Sequence, residues 1–353
     1  MRYLPFTHAS HFLRERDFGQ KIEASFDFVK AHFKPLGKAL LYIVLPVALI
    51  TGILSAMMML QWVGLMQGMQ RTEQTISGKA TTISTVSSIY SNMFLSPAYL
   101  GTVLGGLILI TVLILTVYGY LTLRLETEPD QEVSVSDVWR LVRQRFFGTL
   151  LALLGLGILL VVGFVVVSMV VGFLSAMLIA GSGGNTLMVG FSVMLVSTLL
   201  FGSITYISVT LSLFLIIWVR ERLGFFASIG RSFRLIWGKW WSTFGLMMVM
   251  TIICGVILIA VMLLTSLIGS PFALISGGNL EGVARIGFVV ATLIQSLVSL
   301  AVYPLLFMAL AFQYFNLVER KDGESLHLLV DAIGQPAPET VPQALRPDDE
   351  GEY

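Results

Sequence analysis

Residues 146–218 read FFGTLLALLGLGILLVVGFVVVSMVVGFLSAMLIAGSGGNTLMVGFSVMLVSTLLFGSITYISVTLSLFLIIW, without a single Asp, Glu, Lys or Arg. A strand of a membrane barrel would alternate polar and apolar residues, and a core helix of a soluble domain would carry a charged face. This stretch has neither pattern. At about 1.5 Å of rise per residue it is more than twice as long as a bilayer crossing requires. Gly181-Ser182-Gly183-Gly184-Asn185, near its middle, supplies a tight turn, so the stretch divides into two spans.

Outward from this pair, four more uncharged runs cover 39–70, 80–123, 240–280 and 286–318. Of the 353 residues 56% are hydrophobic and only 12% charged, about half the charge of an ordinary soluble chain. That composition excludes a soluble enzyme and a disordered protein. The reading is an all-α polytopic membrane bundle with six spans near 39–63, 99–123, 149–179, 187–219, 244–268 and 286–317. Residues 1–38 are charged and lack an apolar core, so they form an arm with an amphipathic helix and no signal peptide. Residues 318–353 form a tail whose prolines and acidic end predict disorder after about 335.

The connections alternate in basic residues. Of 22 Lys and Arg, 19 fall in the arm, the second and fourth connections and the tail, leaving Arg71, Lys79 and Arg285 on the other side. Basic residues are retained on the cytoplasmic side during insertion, which places both termini in the cytoplasm and requires an even span count.

Three segments that lead into odd-numbered spans are alike: 26–33, 139–146 and 233–240. Each has an aromatic at its first and eighth positions, bulky apolar residues at the third and fourth, and His32, Arg145 or Lys239 at the seventh. The pattern predicts a divergent threefold repeat of one interfacial amphipathic helix plus a two-span hairpin. Helices around 18–33, 134–146 and 226–240 are expected to lie in the membrane plane, separate from the spans that follow. Phe26, Phe33, Trp139, Phe146, Phe233, Trp237, Trp240 and Trp241 would enter the acyl boundary, with Arg140, Arg143, Arg145, Arg231, Arg234 and Lys239 converging on anionic headgroups. The plainer reading, aromatic and basic belts that only fix topology, is compatible with this one.

The third copy, Ser228-Ile229-Gly230-Arg231-Ser232-Phe233-Arg234-Leu235-Ile236-Trp237-Gly238-Lys239-Trp240-Trp241, resembles a signature of the membrane domain attached to some bacterial glycerophosphoryl diester phosphodiesterases and of related stand-alone six-helix membrane proteins. Phe315-Asn316-Leu317-Val318-Glu319-Arg320-Lys321-Asp322-Gly323 resembles endings of uncharacterised inner-membrane proteins from Bacteroidetes-like bacteria. The resemblance implies a six-helix fold in a bacterial inner membrane. It carries over no catalytic residue, because the catalytic barrel of those phosphodiesterases has no counterpart here.

Groups that carry chemistry are sparse. His8 and His11 share a helical face, but a zinc site needs three or four ligands, so no metal is expected. No phosphate loop, nucleophile elbow or His-Glu-x-x-His pattern occurs, and no catalytic residue or cofactor is expected. No ionisable residue lies centrally in a span, which disfavours a pump or a proton-coupled transporter. The hydroxyl-rich fourth span, together with Gln295, Ser296 and Ser299 of the sixth, reads as helix packing or as a polar path. The acidic stretch 126–132 reads as a solvated linker, followed by Ser134 or Ser136 as a helix cap. Gly101 and Gly105 form a small-xxx-small pair for close helix approach. The Ser- and Thr-rich loop 64–98 is open between a short helix and a binding cap.

Two function classes remain. The first is a non-enzymatic scaffold or assembly and envelope-homeostasis factor, with anionic lipids and membrane-protein partners and no nucleic acid. The second is a transporter or lipid-handling protein with a path lined by spans four and six.

Overall fold

The computed structural model describes residue 6 and residues 9–75, 94–128, 131–181, 183, 185–275 and 283–323. Most of the loop 64–98 and the tail after Gly323 therefore lie outside the described residues. Within them, the regular elements are all helical. The arm gives α1 (Ala9–Phe12), α2 (Phe18–Ala31) and α3 (Phe33–Ala39), followed by a π-helical turn (Leu40–Val44) and α4 (Leu45–Thr75). Next come α5 (Pro97–Glu126), α6 (Val135–Gly181), α7 (Thr186–Leu211) and α8 (Phe214–Arg220). The chain continues through α9 (Phe225–Ile236), α10 (Trp240–Ile275) and α11 (Val283–Asp322).

Six helices are long and apolar enough to cross a membrane: Phe33–Leu65, Pro97–Glu126, Val135–Gly181, Thr186–Arg220, Trp240–Leu267 and Arg285–Asp322. Each contains or nearly contains an expected span. The protein is a multi-pass, all-α bundle. Span one runs back through residue 38, and α11 carries on past Leu317, so no helix end marks either expected domain boundary.

Local chemistry explains the joints. Pro46 brings no N–H to the second residue of α4, and the wide turn before it lets the Leu45 N–H reach back five residues to the Leu40 carbonyl. Ser96 caps α5 by accepting from the Tyr99 N–H at 3.2 Å, with Pro97 at the first helical position. Ser134 caps α6, its hydroxyl oxygen accepting from the Ser136 N–H at 3.1 Å. The turn between α6 and α7 has Gly183 at φ +58°, and Asn185 then caps α7 by accepting from the Leu187 N–H.

The three similar segments do not end alike. Segment one stops at His32 and segment three at Trp237 and Gly238, where Gly238 takes φ +80°. Segment two does not stop. Residues 135–146 are the opening turns of the 47-residue α6, capped by Ser134, which corrects the expectation of a separate helix around 134–146. The position held by Gly238 in segment three is Gln144 in segment two, flanked by Arg143 and Arg145, and all three favour a helix. The segments nevertheless share a buried register. Ser25, Val138 and Ser232, each one residue before its segment, are all fully buried.

Packing follows a cyclic order. The opening of α6 lies on α5, where Leu141 is so close that a Cβ on Gly119 would meet it at 2.9 Å. Helix α9 lies on α7 and α8, and α2 lies on α11. Each segment thus rests on the last span of the hairpin before it, with the arm closing the circle. Asn316 of α11 donates to the Arg16 carbonyl at 3.0 Å, and Arg320 pairs with Glu15 at 3.3 Å.

Buried apolar residues gather at one end of the bundle. Phe12, Phe28 and Leu36 of the arm meet Tyr118 of α5, Ile217 of α8, Leu235 of α9 and Phe312 of α11. Phe12 and Phe312 stack in parallel, and Phe28 meets Phe312 edge-on. Each ring taken from water contributes about 2–3 kcal/mol. We call this the basic end, because the described residues of the arm, the second and fourth connections and the end of α11 meet here. Toward the other end, α6 and α7 leave most side chains exposed: only 6% of the most apolar stretch of each is buried, against 39% in α5. Lipid is as apolar as those side chains, so their exposure is not costly there.

Candidate functional site

A path through the bundle would have to be built from the polar residues of the spans. The fourth-span hydroxyls turn inward on their own helix. Ser197, Thr198, Ser203 and Thr205 each donate to the carbonyl four residues earlier. In the sixth span, Gln295 donates to the Leu258 carbonyl of α10, and Ser296 lies 3.1 Å from where a Cβ on Gly52 of α4 would stand. The polar groups of the two spans therefore face different neighbours. Gly105 lies against Thr51 and Gly101 against Leu54, so the small pair does serve a close approach, between α4 and α5.

At the basic end a charged network ties α8, α9 and α11 together. Arg231 of α9 lies 3.1 Å from Glu221 and also pairs with Asp322. The Tyr314 hydroxyl donates to Glu221 at 2.7 Å and accepts from Arg220 at 3.2 Å, and the Arg220 guanidinium lies over the Phe315 ring. Burial opposes the charge on Arg231. The hydrogen bond and charge of Asp322, with Glu221, outweigh that and raise its pKa above the ordinary value. Lys321 caps α9 from outside by donating to the carbonyls of Arg234 and Trp237, which also suits the negative end of the helix dipole.

This network changes the expected headgroup set. The Arg231 side chain is only 13% exposed and already holds two carboxylates, so it is not open to a lipid. Arg145 is half-buried and donates to the Val219 carbonyl at 2.8 Å. Arg140, Arg143, Arg234 and Lys239 are exposed, Arg140 with Asp137 at 3.9 Å. Those four stand on two helices, the first pair at the start of α6 and the second pair at the end of α9 and just beyond it. Among the aromatics, Phe26, Phe33, Trp139, Phe233, Trp237 and Trp241 are exposed. Phe146 and Trp240 instead pack against the core. Trp240 also stacks on Tyr206 and donates to its carbonyl at 3.3 Å.

One feature of the site escaped the reading of the sequence. A pocket of about 250 Å³ opens between the start of α6 and the α8–α9 connection, lined by Gln144, Arg145, Gly148, Trp218, Arg222 and Leu223. Its signal was available. Arg145 is the last charged residue before the uncharged run of 146–219 and Arg220 and Arg222 follow it, so folding the run into a hairpin brings its two charged ends together. Among the described residues no group of three or more His, Cys, Asp or Glu could hold a metal ion. No protein-family model matches the chain, and no curated protein or solved structure matches it.

Proposed function

We propose that the chain is a non-enzymatic, multi-pass protein of a bacterial inner membrane, a scaffold or assembly and envelope-homeostasis factor that gathers anionic lipid at its basic, cytoplasmic end. The resemblance to the six-helix membrane domain of glycerophosphoryl diester phosphodiesterases belongs to the same proposal. The observation that carries it is the company of Arg140, Arg143, Arg234 and Lys239. All four are exposed at the end of the bundle that also exposes Trp139, Trp237 and Trp241. Indole rings prefer the headgroup level, and each cation beside an anionic leaflet contributes about 1 kcal/mol. The transport reading has weaker support, since the hydroxyls of span four bond to their own helix and those of span six face elsewhere.

The test replaces the four cations with Gln, checks topology by a reporter at Gly183, and measures the lipids that co-purify after gentle detergent extraction. Enrichment of phosphatidylglycerol and cardiolipin over the bulk membrane should fall several-fold. Unchanged enrichment in a correctly inserted variant would remove the basis of the proposal.

A further inference from the structure

The pocket between the two ends of the long hairpin has a composition that the belts do not explain. Two guanidiniums line it, one from each end of the uncharged run, and the charge on Arg145 is opposed first by burial and then by Arg222, with Glu126 offsetting part of this. An anion held by both guanidiniums would relieve the remainder. Arg222 is also one of two non-glycine residues with positive φ among the described residues, at +55°. A long side chain rarely adopts that backbone conformation without a local reason. Gln144 adds an amide, and Gly148 leaves one wall without a side chain. A Cβ on Gly148 would meet only the Trp218 ring, at 4.0 Å, so the space beside it is open and not merely tight packing.

Position identifies the anion. Phe146 opens the uncharged run and Trp218 lies one residue from its end, so the pocket straddles the level where hydrocarbon gives way to water. The Trp218 indole N–H is held by the Thr149 hydroxyl at 3.1 Å, which fixes the ring as a wall. A soluble phosphate would reach such a place only from the water side. A phospholipid has its phosphate at that depth already, with its glycerol and chains directed along the apolar hairpin.

We propose that this pocket holds the phosphate of one anionic phospholipid between Arg145 and Arg222. The site rests on the reading of the basic end as a lipid-facing surface, but it is distinct from the exposed cations that carry that reading. Arg145 keeps one N–H on the Val219 carbonyl, which orients the rest of its guanidinium, and Arg222 closes from the rim. Two planar forks on one phosphate give the bidentate geometry that Lys lacks. The carboxylate of Glu126 lies 3.8 Å from Arg222 and competes with the lipid for it.

The experiment uses the full chain and native mass spectrometry after delipidation, followed by titration with phosphatidylglycerol, phosphatidylcholine, glycerol phosphate and inorganic phosphate. One phosphatidylglycerol per chain should survive delipidation. Gly148→Leu fills the pocket without touching a charge and replaces a helical glycine, so it should keep the melting temperature and lose that lipid at least tenfold. Arg222→Lys should weaken retention about tenfold at constant charge, and Glu126→Gln should strengthen it. Full retention by a folded Gly148→Leu chain would overturn the site, as would equal retention of phosphatidylcholine. Binding of inorganic or glycerol phosphate as tight as the lipid would also overturn it, because the pocket would then be a soluble-anion site. If Gly148→Leu loses its lipid while the four-cation Gln variant keeps bulk enrichment, only the wider reading falls. The reverse pattern removes this site alone.

Discussion

Lys21 shows what one residue endures at the basic end. It belongs to α2, is only 4% exposed, and has Arg320 and Lys239 nearby, with Asp17 the opposing charge. Burial first, then the two like charges, lower its pKa from 10.5 to about 8, with Asp17 opposing. The sign follows from which state holds the proton. Between about 8 and 10.5 the unfolded chain keeps a proton that the folded chain has released, so stability rises with pH across that window. Below it the lysine is charged in both states, and the penalty of burying that charge is present in full. Lys21→Met should therefore stabilise the protein at pH 7 by about 1–3 kcal/mol, an advantage that shrinks as pH approaches 10. Thermal melts of both chains in detergent across pH 7 to 10 would measure it, and an advantage independent of pH would show that Lys21 does not feel its neighbours in this way. Arg16 in the same arm has the same direction of shift, lowered to about 10 by burial and then by Arg14. The arm accepts such charges because Phe12 and Phe28 anchor it in the core.

At the scale of elements, the contrast between α9 and α6 is set by one position. Gly238 ends segment three in a left-handed turn, while Gln144 lets segment two run on into its span. Each choice is locally consistent, so swapping either should cost stability. Gly238→Ala forces a Cβ into φ +80° and should destabilise by about 1–2 kcal/mol, whereas Gly238→Asn should lose less. Gln144→Gly places the most permissive residue inside a long helix and should lose about 1 kcal/mol. Melting of the three variants beside the parent decides it, and a neutral Gly238→Ala would mean that the break is held by α11 through Lys321 rather than by the glycine. The same contrast shows where the sequence was legible. Uncharged length, with the glycine-rich turn at 181–185 dividing the longest run, placed all six spans, because a bilayer imposes a length that no packing detail can alter. The helix break was harder to read, since aromatic spacing repeats in all three segments while the deciding residue lies between the aromatics. The amphipathic faces were only partly legible. The first-position rings Phe26, Trp139 and Phe233 do stay exposed, but the fourth-position Val142 and Ile236 lie in the core with Ser25, Val138 and Ser232. Charge patterns marked the basic end and not its internal pairing, because Glu221 and Asp322, which engage Arg231, lie 10 and 91 residues from it.

The whole molecule joins two kinds of construction. At the basic end, rings, ion pairs and capping side chains lock the arm, α9 and the end of α11 together, as in a soluble core. Away from it, α6 and α7 present apolar side chains outward almost without interruption, which only lipid or another apolar surface can cover. The proposed orientation puts the locked end, with its cations, at the surface where insertion retains positive charge, and the turn between α6 and α7 on the opposite side. Gly183, in the turn between α6 and α7, should then face the periplasm, and residues just after Asp322 the cytoplasm. Paired alkaline phosphatase and fluorescent-protein fusions at the two places would test it, with phosphatase activity expected only at Gly183 and fluorescence only after Asp322. A phosphatase-active fusion after Asp322 would place an odd number of crossings between the termini or reverse the whole bundle. Reversal, which a fluorescent and phosphatase-silent fusion at Gly183 would reveal, would put the four exposed cations on the wrong side of the membrane for the anionic leaflet and would remove the lipid-gathering role with them.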